Sequence, residues 1–136
     1  MKAENLQKGY TRIIGIFFVL VVISLINDYS RFGHRPETWH KLFHVLLGSI
    51  VLYFGWNNKN FWKPFCLANG SFFLFVAAFG FTFPDFGGLD AFNRLDTILH
   101  SIVGATGLLT GFLNKTTNFL KIFKIHLYHA QIFHIK

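Results

Sequence analysis

Four stretches of this chain, residues 13–26, 42–56, 65–83 and 97–113, contain no Asp, Glu, Lys or Arg. They take up nearly half of the 136 residues. A soluble domain of this size has too little interior to bury so much apolar surface, so a second apolar solvent is required, and the lipid bilayer supplies it. The overall balance agrees: 52% of residues are hydrophobic and 14% are charged, against roughly 25% charged in an average soluble domain. An integral membrane protein of one domain is expected, with the lipid bilayer as its first partner.

About 20 helical residues cross the hydrocarbon core. Extending each run to its polar flanks gives spans near 10–29, 39–56, 63–83 and 95–113, a membrane domain over 1–113 and a tail over 114–136. Tyr10 and Tyr29 suit the two interfaces of the first span, and Trp39 with Trp56 bracket the second. Pro36 and Glu37 are good first-turn residues for the second helix. Lys63-Pro64 should open the third and Pro84-Asp85 close it, and "PDFGGLDAFN" reads as the turn before the fourth. The runs are too long and too uniform for barrel strands, which alternate apolar with polar. The basic start and "IIGIFFVLVVISLI" have the composition of a secretory signal, but Asn27-Asp28-Tyr29 offers no small-x-small cleavage site, so a retained span is expected. The fold class is therefore all-α, a four-helix up-down membrane bundle.

Nine of the thirteen Lys and Arg residues lie before the first span, in the second connection or after the fourth. Arg31, Arg35, Lys41 and Arg94 lie on the other side, with Asp28, Glu37, Asp85, Asp90 and Asp96. This bias places both termini in the cytoplasm. The net charge of +7 marks topology and attraction to anionic headgroups rather than nucleic-acid binding, because no compact basic patch or binding motif is present. Asp28, Arg31, Arg35, Asp85, Asp90 and Arg94 are placed to form an outer network, Arg94 pairing with Asp90 or snorkelling. The single cysteine, Cys66, excludes an intramolecular disulfide and reads as a small buried hydrophobe.

A shift of 56 residues superposes "WHKLFHVLLGSIVLYFGW" on "LDTILHSIVGATGLLTGF". It aligns His44 with His100, Gly48 with Gly104, Leu52 with Leu108 and Gly55 with Gly111; between the first and third spans it aligns only Phe17 with Phe73. Two hairpins in one orientation make a parallel repeat. Gly48 and Gly55 mark one side of the second span, and Gly104, Gly107 and Gly111 one side of the fourth. Small residues let helix backbones approach closely in lipid. Ala77 with Gly80 offers a weaker version on the third.

"LFHVLLGSIVLYFGW", followed by "GGLDAFNRLDTILHSIVGATGLLTGFL", resembles a family of small bacterial four-span membrane proteins catalogued as a domain of unknown function, each half carrying a histidine followed by apolar residues and glycine. The resemblance spans about residues 10–113. It implies a four-span fold in a bacterial cytoplasmic (inner) membrane and lends no activity.

His40 and His44 stand four residues apart, on one helical face about 6 Å apart along the axis, and the repeat matches them with Asp96 and His100. Three readings follow. His40, His44, Asp96 and His100 form a reasonable Zn²⁺ shell. His44 and His100 alone suit the axial positions of haem b. In the plainest reading, His40 and Asp96 are solvated at the boundary while His44 and His100 bond to backbone carbonyls or hydroxyls of neighbouring helices. Asn69 is read as a packing contact.

No nucleophile–base pairing, phosphate-cradling loop or Cys-x2-Cys stands out. A channel is disfavoured, because four spans leave little room and charges avoid the span centres. The leading expectation is a non-enzymatic multi-pass protein acting as a helix-packing or assembly partner, with a homo-oligomer through its glycine faces or exposed Phe as one form; the metal or haem bundle is the alternative. In the tail, Lys121 and Lys124 interleave with aromatic and branched residues without a clean amphipathic pattern, and His126, His129 and His134 are irregularly spaced for a metal site. Such a segment is expected on anionic lipid.

Overall fold

The structure, a computed structural model, describes residues 2–89 and 92–133, with side chains described up to residue 113. Four α-helices account for most of them: α1 (Ala3–Phe32), α2 (Pro36–Gly55), α3 (Lys59–Thr82) and α4 (Arg94–Phe133). A 3₁₀ turn, Phe86–Gly88, precedes α4. No strand occurs among the described residues. Three helical segments are long and apolar enough to cross a membrane: Ala3–Phe32, Lys59–Thr82 and Arg94–Leu113. The second helix is not among them, because His40, Lys41 and His44 load its first half with polar groups.

The helix ends follow local chemistry. Gly33, at φ +69°, ends α1 with a left-handed residue, and its N–H donates to the Tyr29 carbonyl at 2.9 Å. Pro36 opens α2 at its first position, where a missing N–H costs nothing. The Arg35 N–H donates to the Thr38 hydroxyl at 3.0 Å.

The third helix begins at Lys59, four residues before the expected Lys63-Pro64 entry. The Asn58 side chain accepts from the Asn60 N–H at 3.1 Å and starts it early. Pro64 then sits inside the helix, and the carbonyl it leaves without a donor, that of Asn60, belongs to an exposed residue. Thr82 is the last residue of α3 because Phe83, directly before Pro84, takes a non-helical conformation (φ −129°, ψ 71°). Asn93 starts α4 by accepting from the Asp96 N–H at 2.8 Å. The fourth helix runs past the expected limit of 113 to Phe133.

Packing pairs α1 with α2 and α3 with α4, and the pairs meet mainly where α1 touches α3 and α4. The core is made of Tyr10, Ile14, Phe18, Val51, Phe65, Cys66 and Phe73. Large apolar side chains such as Ile13, Leu20, Ile23, Tyr53, Phe75 and Leu109 point outward. So much exposed apolar surface is a liability in water and is what a lipid-facing surface requires.

Glycines set the helix separations. A Cβ on Gly48 would stand 2.8 Å from the Val19 nitrogen and 2.9 Å from the Gly15 oxygen, so α1 and α2 touch backbone to backbone there. A Cβ on Gly70 would stand 2.6 Å from the Leu108 nitrogen, and one on Gly104 would stand 2.7 Å from the Leu74 nitrogen. These two place α3 and α4 equally close. Gly107 fits against the Gly70 Cα and the Cys66 carbonyl. Gly55 and Gly111 instead receive side chains, Phe61 with Thr11 and Leu67 respectively.

Tyr10 points into the bundle. It is buried, and its hydroxyl donates to the Val103 carbonyl at 2.9 Å and accepts from Asn69 Nδ2 at 2.8 Å. Asn69 is thus a packing contact between α3 and α1. Gln7 Nε2 donates to the Thr110 carbonyl at 3.3 Å. This buried polar seam satisfies groups that would be costly to leave unpaired away from water.

Candidate metal centre

The first half of α2 turns His40 and His44 to the same side, as their spacing of four requires. Their Nε2 atoms lie 2.8 Å apart. His100, from α4, closes the group: its ring centroid is 6.2 Å from that of His44 and 6.1 Å from that of His40. One ring nitrogen from each of the three lies within 4.8 Å of the other two. His44 and His100 are buried and His40 is half-buried. His40, expected at the boundary, turns its ring toward His44 and His100.

Aromatic rings fix these imidazoles. Phe73 stacks on His44, with centroids 5.9 Å apart and planes 10° from parallel, and lies 5.1 Å from His100. Phe18 packs 4.7 Å from His44 on another side. The Nδ1 atoms of His44 and His100 are buried and make no hydrogen bond. His44 and His100 thus do not bond to neighbouring carbonyls or hydroxyls through these atoms; Ser101 and Thr106 return their hydroxyls to their own helix, to the Thr97 and Ile102 carbonyls.

The three histidines open onto a cavity of about 200 Å³ that all four helices line. Phe17, Phe18, Phe73, Leu99 and Val103 supply apolar wall, and Lys41 and Asp96 supply charge. Asp96 therefore faces the same space as the histidines but is outside their compact group. Lys41 forms an ion pair with Asp28 near the C-terminal end of α1. Asp28 belongs to the expected outer network, but its partner, Lys41, does not. Asp90 and its pairing with Arg94 lie outside the described residues, as do the side chains of His126, His129 and His134.

A tetrahedral ion with bonds of about 2.0–2.1 Å holds its nitrogen ligands about 3.3 Å apart. The separations here, from 2.8 Å for His40–His44 to at most 4.8 Å within the group, straddle that value, so small side-chain rotations bring three imidazoles onto one ion. Haem fits poorly. Phe73 packs against both rings where the flat macrocycle would have to pass. The 200 Å³ cavity also falls below the roughly 300 Å³ at which small-molecule pockets begin.

Reading the sequence singled out the histidines but not Lys41, Phe18 or Phe73 as neighbours of the site. A signal for Phe73 was present: the one identity between the first and third spans is Phe17 with Phe73, and both line the cavity. No protein-family model, curated protein or solved structure matches this chain. Its function has to be read from these residues.

Proposed function

We propose that this chain is a four-span membrane protein that holds one divalent transition-metal ion, Zn²⁺ being the simplest occupant, on His40, His44 and His100. The observation that carries the reading is the convergence of one nitrogen from each imidazole within 4.8 Å, inside a cavity walled by apolar side chains. Imidazole is the ligand common to zinc, copper, iron and nickel sites. The competing reading, in which the same residues only hold helices together, draws support from the stacking of Phe73 on His44.

The finer architecture belongs to the same proposal. Spans two and four run parallel in a duplicated hairpin, as in the small bacterial four-span family that the sequence resembles. Two contacts support this: Gly48 meets Phe18 and Gly104 meets Leu74, each residue of the second pair lying 56 positions beyond its counterpart in the first. The bias of Lys and Arg places both termini in the cytoplasm and the histidines toward the opposite face of a bacterial inner membrane.

The test is metal analysis of protein purified in detergent, beside His44→Ala and His100→Ala. Stoichiometric zinc or cobalt that survives desalting and is lost from both variants is the expected result. Variants that melt earlier while the parent binds no ion would leave packing as the role of the histidines.

A further inference from the structure

We infer that a metal on the three histidines keeps its fourth position open, and that this position takes a small monodentate anion. The inference rests on the metal reading above and extends it from a holding site to a ligand-binding one. Structural zinc sites are closed by four protein ligands, whereas sites that bind or activate a small molecule use three and leave the last to water or substrate. Here the compact group supplies three ligands and Asp96 is not one of them.

Space lies beside the group. The cavity measures about 200 Å³, and a water takes about 30 Å³ of liquid volume, so an ion of a few atoms fits beside the metal. Much of its wall, Phe17, Phe18, Leu99 and Val103, is apolar. In such a weakly polarisable setting the attraction between an anion and the metal is screened little. Lys41, held by its ion pair with Asp28, and Asp96 line the same cavity with opposite charges, so Lys41 favours an anion there, Asp96 opposes it, and the metal supplies the main attraction. The binding step is a ligand exchange: the metal–water bond breaks, a metal–anion bond forms, the water leaves, and no electron changes hands.

Cobalt(II) supplies the readout, since its visible bands report coordination number. The full chain in detergent is loaded with Co²⁺ and titrated with sodium azide, then with sodium formate. Saturable movement of the cobalt bands is expected, with azide affinity about tenfold weaker in Lys41→Met, the equivalent of about 1.4 kcal/mol, and retained in Lys41→Arg. Asp96→Asn, which removes a negative charge from the same cavity, should tighten azide binding. Cobalt bands that ignore azide in the parent would overturn the inference while leaving the metal site standing. An azide response that appears only in Asp96→Asn would also overturn it, by making Asp96 the fourth ligand. Absence of any cobalt spectrum at all would remove the metal reading itself.

Discussion

At the scale of single residues, glycines separate into those that touch backbone and those that touch only side chains. Gly70 is of the first kind: an added Cβ would press on the Leu108 nitrogen at 2.6 Å and the Gly107 carbon at 3.0 Å, and backbone cannot step aside cheaply. Gly70→Ala should cost about 1–3 kcal/mol, the usual range for overpacking. Gly9, in α1, has nothing within 4 Å, so Gly9→Ala should instead stabilise by up to about 1 kcal/mol through helix propensity. Thermal melts of the two variants in one detergent check both signs. The sequence pointed to Gly104 and Gly107 on α4 but to Ala77 and Gly80, not Gly70, on α3. A small-residue spacing within one helix says which side is thin. It does not say at which level the neighbouring helix crosses.

At the scale of elements, the α1–α2 hairpin is tied at its lower end by one arginine. Arg12 donates from Nε and Nη2 to the Trp56 carbonyl at 3.0 and 2.6 Å, and its guanidinium lies 4.4 Å from the centroid of the Trp56 ring. It thereby satisfies a carbonyl at the C-terminal end of α2, where positive charge is favoured. Arg12→Lys keeps the charge but loses the forked donation and the stacking, so it should recover little of the loss in Arg12→Ala. A fall of about 1–2 kcal/mol is expected for Arg12→Ala, read by chemical denaturation in mild detergent, with metal content unchanged. The helices themselves were legible in the sequence, because uninterrupted apolar runs and nearby Pro and Gly are local signals. Their ends were less so. The early start of α3 depends on a side-chain cap from Asn58, and the inward turn of Tyr10 depends on a partner, Asn69, fifty-nine residues away.

For the whole molecule, a metal held by His40 and His44 from α2 and His100 from α4 would link two helices that otherwise touch little. An ion that binds only the folded state stabilises it by about 2.7 kcal/mol at a free concentration one hundred times the dissociation constant. Added zinc should therefore raise the melting temperature of the parent and leave His44→Ala unmoved. Protons compete with metal for imidazole lone pairs, so acidification should erase the gain, as should a chelator. Differential scanning fluorimetry with and without zinc across a pH series checks this; a zinc effect that persists in His44→Ala would place the ion elsewhere.

The sequence by itself determined the solvent and the secondary structure. Apolar runs of this length in so short a chain require lipid, and lipid requires helices whose backbone bonds close within each segment. The repeat of histidine and glycine also marked the rows of residues that matter. Only the tertiary structure decided how those rows meet: that His40 joins His44 and His100, that Asp96 shares their cavity without joining their group, and that Gly70 is the point where α3 and α4 touch. Each of these depends on the rotation of a helix about its own axis and on its neighbour's height. Those are set by packing between residues far apart in the chain, and no local pattern encodes them.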